Sequence, residues 1–203
     1  MKTDELAQRI KNACAEVKAA EEELTEIDSR FGDADHGLTM RKICNAIEGA
    51  VDNNSGGSVK ALIAAAAEAV MGINGGSAVP LWNSWLDGMQ EAAPETDEVD
   101  AAGIKAMFAS AFEMLDFMSG AKTGDKTMMD AVIPASEAIA AYAGDDESEI
   151  FTLAADAAEK GAEETKNYVA KYGRAKSYGT KTIGTTDAGA VSMARFFRGL
   201  AEF

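Results

Sequence analysis

An all-helical fold, an eight-helix antiparallel up-and-down barrel or bundle, is predicted by three features of the sequence. Apolar residues make up 47 % of the 203 positions, yet aromatics reach only 7 % and prolines number three, with alanine abundant; that mix favours helix. Apolar residues recur at three- and four-residue spacing in one segment after another, the pattern of amphipathic helices. No segment carries a strong strand signal and no fixed-period repeat appears.

The first helix covers 4–27, where Leu6, Ile10, Ala13, Cys14, Val17, Ala20 and Leu24 share a face. Gly37-Leu38-Thr39-Met40 opens a second, with Met40, Ile43, Cys44, Ile47 and Val51 aligned, and Asn53-Asn54-Ser55-Gly56-Gly57 ends it in a turn. A third runs through Val59–Met71 and stops at Gly72; Asn74-Gly75-Gly76-Ser77 is a second glycine-rich break. Pro80 suits the first turn of a fourth helix that extends to about Gln90. The polar stretch Ala92–Asp100 is the longest connector, and a fifth helix over 100–118 aligns Ile104, Met107, Phe108, Ala111, Phe112, Leu115 and Met118. After the loop Ser119–Asp125, a sixth helix covers about 126–142, with Pro134 expected to kink it or break its ladder. A seventh spans about 148–171, Tyr172–Thr186 is a glycine- and basic-rich loop, and an eighth at about 188–201 closes a single domain over 1–203.

In a strict up-and-down chain, the loops after helices 1, 3, 5 and 7 share one end. They contain Asp28–Gly37, Gly72–Ser77, Ser119–Asp125 and Tyr172–Asp187, which hold most of the glycine and nearly all of the unusual polar chemistry. The loops at 53–57, 92–99 and 143–147 read as ordinary solvated turns. One functional site at the odd-loop end is the expectation.

Nineteen Lys and Arg against 34 Asp and Glu leave a net charge of −15. This argues against nonspecific binding to nucleic acid or to anionic membrane, because phosphates would be repelled, and the plainest reading of the charge is solubility. Cys14 and Cys44 are too few for a disulfide framework and read as buried thiols of a reducing cytoplasm. The Met1–Glu5 stretch lacks the basic and apolar regions of a secretory signal, and no window of 18 uncharged apolar residues offers a membrane span.

The densest chemistry lies in Asp28-Ser29-Arg30-Phe31-Gly32-Asp33-Ala34-Asp35-His36-Gly37, with three carboxylates and the chain's one histidine. Like charges this close repel unless a cation joins them, and carboxylate oxygens suit hard divalent ions, Mg²⁺ above all beside phosphates. The spacing fails an EF-hand, since Cys44 falls where the bidentate Glu belongs, and one His without a Cys pair is poor for zinc. A plain solvated acidic turn is the competing reading. Gly37–Met40 forms a helix N-terminus behind the carboxylates, suited to phosphate oxygens, and Gly75-Gly76-Ser77 offers the same or a flexible turn. In Gly124-Asp125-Lys126-Thr127, Asp125 reads as an N-cap and Lys126 as a surface charge. Arg174, Lys176 and Lys181 concentrate positive charge in the last loop, and Asp187-Ala188-Gly189-Ala190 opens the last helix. No Walker-A loop, kinase catalytic loop or Ser–His–Asp arrangement is present.

Taken together, Glu26-Ile27-Asp28, Gly32–Gly37, Gly75-Gly76-Ser77, Gly124–Asp130 with Pro134-Ala135, Gly173-Arg174-Ala175 and Thr186–Ala190 resemble, in order and over nearly the whole chain, the DhaL family. This is the nucleotide-binding subunit or domain of dihydroxyacetone kinases. The resemblance implies an eight-helix barrel that binds ADP or ATP at one end through two Mg²⁺ ions. It implies Asp28, Asp33 and Asp35 as metal ligands. Around the nucleotide it implies His36, Gly37, Leu38, Thr39, Ser77, Ala78, Gly120, Met128, Arg174, Asp187, Ala188 and Gly189. It further implies transfer of a phosphoryl group to a short-chain ketose held on a DhaK-type partner. Thr39 stands where the family usually has Asn, Ala78-Val79 where it has Ser-Gly, and Ala188 where it has Pro.

Phosphoryl transfer needs positioning and charge neutralisation, for which the three Asp residues, two Mg²⁺ and Arg174 are the expected agents. Two other readings compete. One is an Mg·ADP carrier recharged by a phosphotransferase-system protein; the other is a non-catalytic regulatory module whose barrel interior holds an apolar ligand.

Overall fold

The computed structural model describes residues 1–203. It contains nine α-helices: α1 (Thr3–Ala19), α2 (Glu21–Ser29), α3 (His36–Asn54), α4 (Val59–Met71), α5 (Ala78–Glu91), α6 (Ala101–Ser119), α7 (Met129–Ala141), α8 (Glu147–Glu164) and α9 (Ala188–Ala201). Short 3₁₀ turns follow α8 at Thr165–Asn167 and precede α9 at Ala175–Thr182. The only β pairing is an isolated antiparallel bridge between Lys2 and Glu98.

Helices α1 and α3 to α9 are the eight staves of a closed ring, each packed on the next and α9 returning to α1. The ninth helix arises because the first predicted one breaks at Ala20 (φ −88°, ψ 7°). Glu21, Glu22 and Glu23 then occupy the first turn of α2, where negative charge favours a new N-terminus. The break lets α2 lie against α3 and α9 and deliver Asp28 to the end of the barrel. Glycines set the closest stave contacts. A Cβ on Gly199 would stand 2.4 Å from Ala13 Cα, and one on Gly88 2.7 Å from Ala111 Cα.

Pro134 does not break α7, which runs through it. The carbonyl four residues back, at Asp130, loses its helical donor to the proline ring. The bare backbone of Gly161 in α8 packs there, where a Cβ would lie 2.0 Å from Asp130 O. The predicted sixth helix starts three residues late, at Met129, because 120–128 are spent on a loop with Gly120, Gly124 and Lys126 at positive φ. The seventh stops at Glu164 rather than near 171. The 92–99 connector is not an ordinary solvated turn. Thr3 N donates to Asp97 O and Val99 N to Met1 O, both at 2.9 Å, Val59 N donates to Thr96 O, and Ala93 and Val99 are buried.

Aromatic rings fill the interior. Trp85 meets Trp82, Phe108, Phe196 and Phe197 edge-on or tilted at 5.6–6.0 Å between centroids, an arrangement that aromatic quadrupoles favour. The remaining interior void is about 20 Å³, on the scale of one water. That void, lined by Leu6, Ile47, Trp85, Phe108 and Phe151, is where the competing reading would put an apolar ligand, and side chains fill most of it. Cys14 and Cys44 are buried and unpaired by disulfide, and no helix is long and apolar enough to cross a membrane.

Candidate nucleotide–metal site

All four odd loops meet around a single cavity of about 660 Å³ at one end of the ring, within the range of small-molecule sites. The acidic loop forms one wall. Its turn is made by Ala34 in the left-handed conformation (φ 61°), with Asp33 and Asp35 on either side. Asp28, at the end of α2, joins them, and one oxygen from each lies within 4.8 Å of the others. The glycines that bracket the loop are steric requirements. A Cβ at Gly32 would be 2.0 Å from Asp28 Oδ1, and one at Gly37 would be 2.2 Å from Glu21 O.

The backbone N–H of Asp35 donates to Asp28 Oδ2 at 3.1 Å, which fixes that carboxylate. Loss of solvation, then the neighbouring Asp33 and Asp28 carboxylates, push the Asp35 carboxyl above its ordinary range. Convergent carboxylate oxygens of like charge fit a hard divalent cation. Arg174 reaches across from the last loop, Nη2 to Asp33 Oδ2 at 2.7 Å, and Tyr178 leans on Phe31 with ring centroids 5.2 Å apart.

Helix N-termini line the cavity as well. α3 begins at His36 and α5 at Ala78, neither with a side-chain cap, and both residues line the cavity. In α3 Asp28 Oδ2 already accepts from His36 N at 3.4 Å, and in α5 Val79 N donates to Gly76 O and Pro80 has no N–H, so only the remaining first-turn donors are left for an anion. α9 begins at Ala188 with Asp187 as its cap, Oδ2 accepting from Ala190 N at 2.8 Å. Burial pushes the Asp187 carboxyl up to about 7. His36 Nε2 lies 3.1 Å from Ser192 Oγ, whose hydroxyl donates to Gly189 O, so the imidazole ties α3 to α9. Burial holds it below the ordinary histidine value.

Of the residues singled out in the sequence, Asp28, Asp33, Asp35, His36, Thr39, Ser77, Ala78, Met128, Arg174, Asp187, Ala188 and Gly189 line this cavity. Three do not. Gly37 is buried under Glu21 and Thr25, Leu38 lies on the outer side of α3, and Gly120 is the left-handed C-cap of α6, its carbonyl accepting from Tyr172 OH. Lys176 and Lys181 also lie away from it. Lys126 corrects the sequence reading. It is 5 % exposed rather than a surface charge, and its Nζ donates to Thr165 O and Thr185 O. Asp125 caps no helix: its carboxylate accepts from Lys122 N and from Lys171 Nζ at 2.8 and 2.6 Å. Trp82, Phe31 and Tyr172 line the cavity without having been singled out. Phe31 sits inside the acidic motif, which is the one signal that could have found it.

The chain is similar in sequence and fold to known proteins. The DAK2 domain matches residues 30–202. A D-erythrulose kinase of Mycolicibacterium smegmatis is 35 % identical over 202 residues, 97 % of this chain and 35 % of that protein. The ADP-binding subunit DhaL of a PEP-dependent dihydroxyacetone kinase 2 of Listeria innocua is 30 % identical over 172 residues, 83 % of this chain and 80 % of that subunit. The crystal structure of the dihydroxyacetone kinase of C. freundii superposes with a TM-score of 0.73 at 24 % identity, over 97 % of this chain and 34 % of that one. A second structure of that kinase, in complex with AMP-PNP and Mg²⁺, gives a TM-score of 0.72. The chain spans about a third of the length of the erythrulose kinases it matches and most of the length of the DhaL subunits.

Proposed function

The chain belongs to the DAK2 domain family, and from that premise we propose that it is the nucleotide-binding part of a short-chain ketose kinase. In this reading it binds ADP or ATP with two Mg²⁺ ions at Asp28, Asp33 and Asp35. It passes the phosphoryl group to a hydroxyl of a ketose held on a DhaK-type partner. The observation that carries the proposal is the convergence of three metal-type carboxylates and two uncapped helix N-termini on one cavity of nucleotide size. Relatives named as ADP-binding subunits support the nucleotide, and those named as dihydroxyacetone and erythrulose kinases support the substrate class.

When bound, Mg²⁺ offsets charge on the transferring group. The chain's own residues do the rest. Asp28, held by the Asp35 amide, offers its free oxygen in a fixed direction. Ala78 N of α5 and the α3 donors beyond His36, whose own N–H Asp28 holds, are the first-turn groups that would meet phosphate oxygens. Arg174, 71 % exposed in its side chain and anchored only through Asp33, can swing from that carboxylate to a phosphate, which guanidinium binds bidentately. His36 keeps α3 and α9 in register across the cavity. Exposed apolar side chains Met71 at the end of α4, Phe117 and Met118 in the last turn of α6, and Tyr172, Tyr178 and Ile183 before α9 lie at this end; a rim of this kind suits a docking protein.

The test is activity on mixing. The purified chain alone should phosphorylate dihydroxyacetone or erythrulose little, and a DhaK-type subunit with a phosphoryl donor should bring activity out. Efficient phosphorylation by the single chain would contradict the partner. A second reading is favoured by the relatives named PEP-dependent: a stable Mg·ADP carrier recharged by a phosphotransferase protein. Turnover driven by ATP alone, with ADP released, separates the kinase from the carrier.

A further inference from the structure

Lys126 is the one basic side chain that lines the cavity from inside the protein. It is 5 % exposed and adopts φ 61°, a left-handed conformation uncommon for lysine. A buried ammonium must spend its donors on acceptors. This one donates to Thr165 O, just after α8, and to Thr185 O, just before α9. Those two carbonyls bracket the whole segment that carries Tyr172, Arg174 and Tyr178.

The same two points hold the segment's ends in other ways. Thr165 Oγ1 accepts from Asp187 N at 2.9 Å, and Gly184 N donates to Lys166 O at 2.8 Å. Lys171 is fastened to Asp125, next to Lys126, by both its amide and its ammonium. Asp130 closes the loop below by accepting from Gly124 N and Thr127 N at 2.6 and 2.8 Å. Asp187 and Asp130 are the negative charges that act on Lys126, while burial draws its ammonium below the ordinary lysine range.

We infer that Lys126 is a positioning residue of the nucleotide site. Its ammonium clamps the two carbonyls and so sets the wall Thr186–Gly189 and the reach of Arg174; the Asp28–Asp33–Asp35 loop meets the clamped segment through the exposed Arg174–Asp33 pair and the Tyr178–Phe31 contact. The inference rests on the proposed nucleotide reading for its functional consequence and on the clamp geometry for its structural one.

Each part has its own readout. In hydrogen exchange on the full chain without ligand, Lys126→Met should speed exchange of amides 184–190 by about tenfold or more and leave α1 and α3 unchanged. Uniformly faster exchange, or none, would overturn the clamp. In titration calorimetry, Lys126→Met should weaken Mg·ADP at least about tenfold while the affinity for Mn²⁺ alone, which reads the carboxylate cluster, stays within twofold. Equal losses in both titrations would mean a merely structural lysine. Lys126→Arg, which keeps the charge, should recover part of the exchange protection. If Lys126→Met does not fold, Lys126→Gln carries the test: its neutral, shorter side chain cannot hold both carbonyls as the ammonium does, and unchanged exchange at 184–190 would overturn the inference. A parent chain that fails to bind Mg·ADP contradicts the proposed function, and the exchange result still decides the clamp.

Discussion

The two ends of the barrel treat their helix N-termini in opposite ways. At the end away from the cavity, side chains cap the first turns. Ser58 accepts from Ala61 N at the start of α4, Asp100 from Gly103 N at α6, and Asp146 from Ser148 N and Glu149 N at α8. α1, which also starts there, has its Thr3 N–H taken by Asp97 O. At the cavity end, the N-cap residues of α3, α5 and α7 make no side-chain cap, although Asp28 Oδ2 accepts from His36 N and Thr127 Oγ1 from Met129 N, while α9 is capped by Asp187. One end spends its donors on stability. The other leaves some of its first-turn donors, in α3 and α5, for an anion, at a cost in stability that a ligand can return.

The comparison is broken most severely at the carboxylates. Asp33→Ala removes one of three convergent ligands and should abolish Mg·ADP binding in titration calorimetry, with the circular dichroism spectrum unchanged because Asp33 is exposed in a loop. Retained parent-like binding would place the site elsewhere. With the parent, Mg·ADP at ~100 times its Kd should add roughly 2.7 kcal/mol to stability; an unchanged thermal midpoint would refute the assignment. Arg174→Ala comes next. Loss of a hydrogen bond to a charged group costs about 1.5–3 kcal/mol, a roughly ten- to hundred-fold weaker Mg·ADP. The Arg174–Asp33 pair is exposed and itself worth at most ~1 kcal/mol. Divalent metal alone should therefore bind the variant at least as well as the parent, a split that separates phosphate contact from metal support.

Much of this contrast was legible in the sequence, because it follows local rules. Periodicity placed α4 at Val59–Met71 and α9 from Ala188 to Ala201, and turn chemistry sorted the loops onto two ends. The Asp28–Gly37 motif named one wall in advance. What escaped was set by contacts distant in sequence. Ala20 ends a helix although alanine is the best helix former, because the glutamates after it start another. Lys126 looks like a surface charge beside Gly124 and Asp125, and only Thr165 O and Thr185 O, 39 and 59 residues away, explain its burial. The 92–99 connector looks solvated until residues 1–3 pair with it.

Asp187 is the exception at the cavity end, a cap that titrates. Burial raises its carboxyl from 3.8 to about 7, so between those values the folded chain holds a proton that the unfolded chain has released. Its contribution therefore falls as pH rises through that window and is at its least favourable above about 7. One proton sets a ceiling of ~1.4 kcal/mol per pH unit. Asp187→Asn keeps a good N-cap and removes the titration. In urea unfolding from pH 5 to 8 with chelator present, the parent should lose stability relative to the variant. His36, lowered by burial, is common to both and cancels in the difference. Parallel curves for the two proteins would show that Asp187 is not raised.

The smallest effects test the contrast itself. Ser58→Ala and Asp100→Ala each delete the side-chain acceptor of a first-turn N–H. Such losses cost ~0.5–2 kcal/mol in chemical denaturation. Neither residue lines the cavity, so Mg·ADP affinity should not change. Ser77→Ala is the mirror experiment. Ser77 stands at the N-cap of α5, where sequence alone would assign it the same duty, yet its hydroxyl caps nothing and its backbone is helical (φ −62°, ψ −19°) rather than extended. Stability should therefore stay within ~0.5 kcal/mol of the parent, the range of ordinary surface substitutions. If Ser77→Ala destabilises as much as Ser58→Ala, the serine caps α5 in solution, and the division between a stabilised end and a binding end fails at α5. If Ser77→Ala leaves stability alone but weakens Mg·ADP, the hydroxyl belongs to the ligand, and three serine and aspartate side chains at equivalent helix positions have been assigned by which end of the barrel they face.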